Sequence, residues 1–220
     1  MEPIARNNLS DQIFDRISGQ IVRNELKPGE IIYETQISKD LGVSRSPVRD
    51  ALHMLEQIRL VDKTPKGSYQ VTTLTPELIA SLYDTAIILY QYAFAKAAEN
   101  AGAADVAEME KYVAEIENSL EDQSLDRYLA NVSRMARVIL RVAGNPIVER
   151  IALELMPSAE RVQWAAMTYL PEQMTAIVEH LRQGYLHIAA NRPDAAAKAF
   201  YDFATRHITI VLDAMKRPAG

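Results

Sequence analysis

The stretch Gly42-Val43-Ser44-Arg45-Ser46-Pro47-Val48-Arg49-Asp50-Ala51-Leu52-His53-Met54-Leu55-Glu56 decides how the N-terminal part of this chain folds. Val48, Ala51, Leu52 and Leu55 recur at the spacing that gathers one face of a helix against a core. Arg45, Arg49 and His53 are four residues apart and stack along the neighbouring face. Ser44 or Ser46 is expected to cap the start, and Pro47 suits a first turn, where a missing amide proton costs nothing. A helix that buries one stripe and offers arginines from its first turns suits a DNA major groove, where guanidinium forks match guanine acceptors.

The segments on either side extend this reading. Upstream, a short helix over 34–41 is expected to bury Ile37 and Leu41 and to stop at Gly42. The turn between the two helices is then only a few residues long, which is helix-turn-helix spacing. Leu9 and Phe14 bracket Ser10 as a hydrophobic staple around a cap, so a first helix is expected from about Asp11 to Asn24. Lys27-Pro28-Gly29-Glu30 reads as a tight turn, and Ile31, Ile32 and Tyr33 as a short strand. Downstream, Leu60–Lys63 and Tyr69–Val71 are expected to pair as a two-stranded wing across Thr64-Pro65-Lys66-Gly67-Ser68. Lys63 and Lys66 can meet phosphates there, and Gly67 lets a backbone come close.

On these residues the segment 10–71 resembles the winged helix-turn-helix domain of GntR-family bacterial transcription regulators. The matching wording is Leu26-Lys27-Pro28-Gly29-Glu30, the run from Leu41 to Leu52, Leu55-Glu56, and Lys66-Gly67. The resemblance implies that Arg45 and Arg49 contact base edges and phosphates. It also implies that Ser44 and Ser46 set the helix on the DNA backbone, with Gly67 at the minor groove. Asp50 stands where the family usually has glutamate, which keeps the charge.

Composition narrows the rest. There are no cysteines, which removes disulfides, thiolate metal sites and cysteine nucleophiles. The N-terminus lacks a signal-peptide core and no apolar run is expected to span a membrane, so a cytoplasmic protein is expected. The net charge is −5, but ten basic and ten acidic residues fall in 1–71, against fourteen and nineteen in 72–220. The acidic surplus belongs to the second part, and the bases of the first are free to cluster.

After a linker at 72–76, in which Thr75 caps and Pro76 starts the next element, everything reads as helix. Apolar spacing marks helices over about 76–101, around 106–120 and over 125–143, the last closed by Gly144. Asn145-Pro146 opens a fourth, which Pro157 is expected to break or bend, leaving a short helix around Trp164. Two more run from about Pro171 to Ala190 and from about Asp194 to Met215. The expected fold is thus mainly α: a winged helix-turn-helix domain (1–71), then an antiparallel bundle of six or seven helices (77–220), an architecture that buries cofactor or ligand sites between facing helices.

Helix arrangement and Val142-Ala143-Gly144-Asn145-Pro146 make the bundle similar to the FCD domain of the FadR subgroup of the same family. Many members of that subgroup hold a divalent metal through an aspartate and a histidine on the third bundle helix and histidines on the last two. Counted from Gly144-Asn145, the first two positions fall on Val132 and Ala136, which cannot ligate; the third falls near Gln183, and only the fourth matches, at His207. An arginine common on the first bundle helix is likewise replaced near Ala86. No cofactor is therefore expected. His180, His187 and His207 leave open a zinc site of another kind, although no flanking acid accompanies them.

The expected cavity is lined by Ala86, Tyr90, Tyr128, Val132, Met135, Ala136, Gln183 and His207, and suits a metal-independent, hydrophobic or acyl-bearing effector. Catalysis has little support, since there is no Gly-rich phosphate loop and no nucleophile elbow. The leading expectation is a homodimeric regulator whose paired helices read an inverted repeat in operator DNA. A bundle that only dimerises, or a small helical metalloenzyme, are the alternatives.

Overall fold

In the computed structural model the described residues are 9–169 and 173–215. They form two compact units that meet between Leu74 and Thr75. The first unit holds α1 (Leu9–Val22), β1 (Ile31–Ile32), α2 (Glu34–Leu41), α3 (Arg45–Gln57), β2 (Val61–Lys63) and β3 (Tyr69–Val71). Ile13, Ile17 and Ile21 of α1 meet Val48, Leu52 and Leu55 of α3 in one apolar cluster, closed below by Leu60, Val61, Tyr69 and Val71. Each fully buried Leu or Ile of this kind contributes about 1.5–3 kcal/mol.

Several expectations change here. Helix α1 begins by Leu9, and Ser10 lies buried inside it rather than capping it; the helix ends at Val22, with Asn24 in the left-handed region (φ 57°). The wing is three-stranded, not two-stranded. β1 pairs antiparallel with β3 (Ile31 opposite Gln70), giving the order β1-β3-β2. Tyr33 is not strand but the extended residue before α2. Ile37 and Leu41 are only partly buried, at the edge of the core. Thr72, read as linker, is buried and its hydroxyl donates to the Arg59 carbonyl at 2.9 Å, tying it to the first unit.

The second unit is α4 (Pro76–Asn100), α5 (Ala103–Glu121), α6 (Leu125–Ala143), α7 (Pro146–Tyr169), α8 (Met174–Ala189) and α9 (Pro193–Met215). Thr75 caps α4, its hydroxyl accepting from the Leu78 amide at 3.2 Å. Gly144 (φ 73°) ends α6, and the Asn145 side chain then accepts from the Ile147 and Val148 amides, starting α7. The Gly-Asn-Pro wording is therefore a stop, a cap and a helix start in succession.

Pro157 does not break α7, which is continuous from Pro146 to Tyr169. A proline there removes the bond to the Leu153 carbonyl at a cost of about 3 kcal/mol. Burial of Ala152 and Met156 before it and of Val162 and Ala166 after it holds both halves on the bundle. The expected start of the next helix at Pro171 lies outside the described residues.

Helix α4 also departs from expectation, since by length and composition (mean hydropathy 1.2) it is apolar enough to cross a bilayer. It packs against α6, α7, α8 and α9, yet only 22% of that apolar stretch is buried and Ile88 stays exposed. The tightest approach is at Gly184 of α8, where a Cβ would lie 2.7 Å from Phe94 Cε1 of α4. The Phe94 ring is buried and sits 5.1 Å from Phe200, so it has little room to retreat. Gly184→Ala should therefore destabilise the helical unit by about 1–3 kcal/mol through overpacking, despite a helix-propensity gain of about 1 kcal/mol. The measurement is the urea midpoint of that unit, and an unchanged or higher midpoint would contradict the packing described.

Candidate DNA-reading surface and bundle cavity

Helix α3 is fixed by its inner face: Val48, Ala51, Leu52 and Leu55 are all fully buried. Its approach is fixed by Gly42 (φ 66°), where the Val43 amide donates to the Ser38 carbonyl at 3.0 Å and the Gly42 amide to Lys39 at 3.3 Å. This paired closure satisfies the last carbonyls of α2 and turns the chain at a conformation glycine adopts without strain. Ser44 is the extended residue before α3, but its hydroxyl makes no cap bond, contrary to expectation; Ser44 and Ser46 are both exposed. Hydroxyls and free amides at a helix N-terminus favour an anion such as a phosphate.

Arg45, Arg49 and His53 are exposed on the outward side of α3. Arg49 is not free in this state. Its Nε and Nη2 lie 3.2 and 3.1 Å from the two carboxylate oxygens of Glu34, at the start of α2. That fork raises the already high guanidinium pKa, chiefly through the hydrogen bond. His53 Nδ1 lies 3.2 Å from Glu56. Glu34 is a residue the sequence reading missed, since a fifteen-residue separation carries no periodic signal.

The wing tip is held by Thr64, whose amide donates to the Ser68 carbonyl at 2.8 Å while its hydroxyl meets the Ser68 hydroxyl at 2.8 Å. Gly67 takes φ 83° with open space where a Cβ would stand, and Lys63 and Lys66 are exposed beside it. The tip thus offers two cations and a bare backbone.

The second unit holds a cavity of about 100 Å³. Of the residues expected to line it, Ala86, Tyr90, Val132, Met135 and Ala136 do so. Gln183 does not: it is exposed on α8 and donates to Glu179 at 2.6 Å, because spacing from Asp194 misjudged which face of α8 turns inward. Tyr128 and His207 are buried but are not among the lining residues. Sequence reasoning missed the aromatic wall of Phe94, Phe200 and Phe203, and the polar group formed by Ser133, Glu160 and Gln163. Ser133 donates to Glu160, whose carboxyl pKa is raised because burial outweighs that hydrogen bond and the nearby Arg137 charge.

The divalent metal implied by the subgroup resemblance does not fit these residues. Val132 and Ala136 present only carbon to the cavity, and His207 Nδ1 is engaged by the Tyr83 hydroxyl. The three histidines are not brought together either, and among the described residues no group of three or more His, Cys, Asp or Glu side chains is placed to hold a metal. His180 Nδ1 instead lies against the carbonyl of Ala176 on its own helix.

His207 is 1% exposed, stacks on Phe203 at 5.6 Å, and its Nε2 is buried without a protein partner. Burial lowers its pKa to about 4, so it is neutral near pH 7. The unfolded chain binds a proton at this residue from about pH 6.5 downwards, whereas the folded chain does so only near pH 4. Its contribution to stability is therefore full above pH 6.5 and falls by up to about 3 kcal/mol as the pH drops across that window. His207→Gln, which does not titrate, should flatten the dependence of the urea midpoint between pH 7 and pH 4.5; parallel curves for parent and variant would contradict it.

Residues 9–71 match the model of bacterial regulatory proteins of the gntR family, and residues 81–209 match that of the FCD domain. An uncharacterised helix-turn-helix regulator of Bacillus subtilis, YdhC, is 29% identical over 59% of this chain and 58% of its own. The regulator McbR of Escherichia coli is 24% identical over 83% of this chain and 82% of its own. The chain spans little more than half the length of YdhC. Among solved structures, E. coli McbR/YncC superposes with a TM-score of 0.81 at 18% identity, over 94% of this chain and 98% of that one. A GntR-type regulator from Rhodococcus sp. RHA1 does so with a TM-score of 0.77 at 17% identity, over 93% and 98%. The fold is thus shared with transcription regulators. With both of its units matched, the chain belongs to the GntR family of bacterial transcription regulators, in the branch that joins a winged helix-turn-helix to an FCD domain.

Proposed function

We propose that this regulator acts in the cytoplasm as a homodimer, reads an inverted repeat in operator DNA, and changes its operator affinity when a small molecule occupies the bundle cavity. The observation that carries the DNA half is the division of α3 into a fully buried stripe and an exposed row of Arg45, Arg49 and His53, with a basic wing on the same unit. In this reading Arg45 and Arg49 reach base edges, Ser44 and Ser46 meet phosphates at the helix start, and Lys63, Lys66 and Gly67 track the adjacent groove. Two copies related by a two-fold axis present two such helices to half-sites about one turn of DNA apart.

The effector half rests on the cavity. It is enclosed by α4, α5, α6, α7, α8 and α9, largely by apolar side chains, with one polar group. A mostly apolar ligand held without metal suits it. Occupancy couples to DNA only as far as the ligand binds the competent and incompetent dimer with different affinity.

One mobility-shift series tests both halves. Arg49→Ala should weaken specific operator binding by about 1–3 kcal/mol while leaving binding to random DNA much less changed. Equal discrimination by parent and variant would remove Arg49 from base reading. In the same series, with a chelator present, compounds that raise the melting temperature should shift operator affinity. A requirement for added divalent metal, or a response confined to small polar dicarboxylates, would contradict the metal-free effector.

A further inference from the structure

Resting on the effector reading above, we infer that the bundle cavity recognises an organic cation: an ammonium group carried on an aliphatic or aromatic body. The cavity has an acidic end and an aromatic wall. Glu160 and Gln163, three residues apart on α7, both line it, with Ser133 of α6 beside them. Ser133 donates to one carboxylate oxygen of Glu160, and the Gln163 Oε1 acceptor is buried with no hydrogen-bond partner. The Glu160 carboxyl and the unpartnered Gln163 Oε1 are both acceptors, so a ligand that donates hydrogen bonds is their complement.

The same cavity is lined by Tyr90 and Phe200, stacked at 5.1 Å, with Phe94 a further 5.1 Å from Phe200. Aromatic faces attract cations, and more strongly once water is excluded. No lysine, arginine or histidine is among the lining residues. Arg137, near enough to influence both Tyr90 and Glu160, is exposed on α6, and its charge weighs less on Glu160 than burial does. The half-buried carboxyl thus faces a cavity whose lining offers no cation, and a ligand ammonium supplies one. A carboxylate ligand would instead face the Glu160 carboxyl with no lysine, arginine or histidine in the lining to offset its charge.

The test is calorimetry on the full chain, dialysed against chelator, with three probes of one shape: phenylethylamine, phenylethanol and phenylacetate. Phenylethylamine should bind roughly tenfold or more tighter than phenylethanol, with phenylacetate weakest. Glu160→Gln, which keeps shape and accepts from Ser133, should erase that preference for the amine while phenylethanol binding stays. The variant should melt no lower than the parent, since it removes a buried charge. Tightest binding by phenylacetate, heat from none of the three, or an amine preference that survives Glu160→Gln would each overturn the inference. Phenylacetate binding that shifts operator affinity would overturn the cation alone and leave the effector reading standing. Selective amine binding with no effect on operator affinity would do the reverse.

Discussion

The DNA-reading unit depends on one constraint: Val48, Ala51, Leu52 and Leu55 must all be buried at once. Four side chains on one stripe fix the rotation of α3 about its own axis. A slip of one residue, about 100°, would turn apolar side chains to water and draw the arginine row toward the core. The left-handed turn at Gly42 adds the approach angle, and the sheet order β1-β3-β2 brings Tyr69 and Val71 beneath the same cluster. The direction of the exposed arginines is thus set by residues packed in the core. Glu34 adds a second level of control, since in the free protein Arg49 is already forked to a carboxylate and must exchange it for any other acceptor.

The bundle solves a different problem. Its first helix, α4, contacts four others, and the close approach at Gly184 shows how little side-chain volume those contacts tolerate. Where side chains leave space, the wall is aromatic and aliphatic, with Val132 and Ala136 at positions that resemblance assigns to metal ligands. His207 survives from that set but has become part of the core, buried, neutral and engaged by Tyr83. In the proposed effector reading, ring faces, shape and the acidic group around Glu160 take over the recognition that a metal would supply.

Much of this was legible from residue spacing. Helical periodicity found α3 and its outward arginines because one buried face leaves a regular imprint. Gly42, Gly144 and Asn145 marked helix ends because their backbone conformations and side-chain bonds are local. What was not legible is what depends on distant partners. Ile31 and Ile32 read as strand from sequence, but their pairing with β3, which makes the wing three-stranded, carries no local signal. Pro157 signals a break or bend by its local chemistry, and tertiary packing keeps α7 continuous through it. Gln183 was placed inward by counting across a turn, and the count chose the wrong face of α8. Glu160 carries no signal in the sequence; only the packing of α6 against α7 brings it, half-buried, to Ser133.

The central claim is that the α3 surface reads sequence, and as a pair. The most direct measurement is sequencing of fragments that the full chain retains from a random DNA pool at physiological salt. The account predicts enrichment of one inverted repeat whose two half-sites lie about one helical turn apart. Enrichment of no sequence, or of an isolated half-site without a symmetric partner, would contradict it.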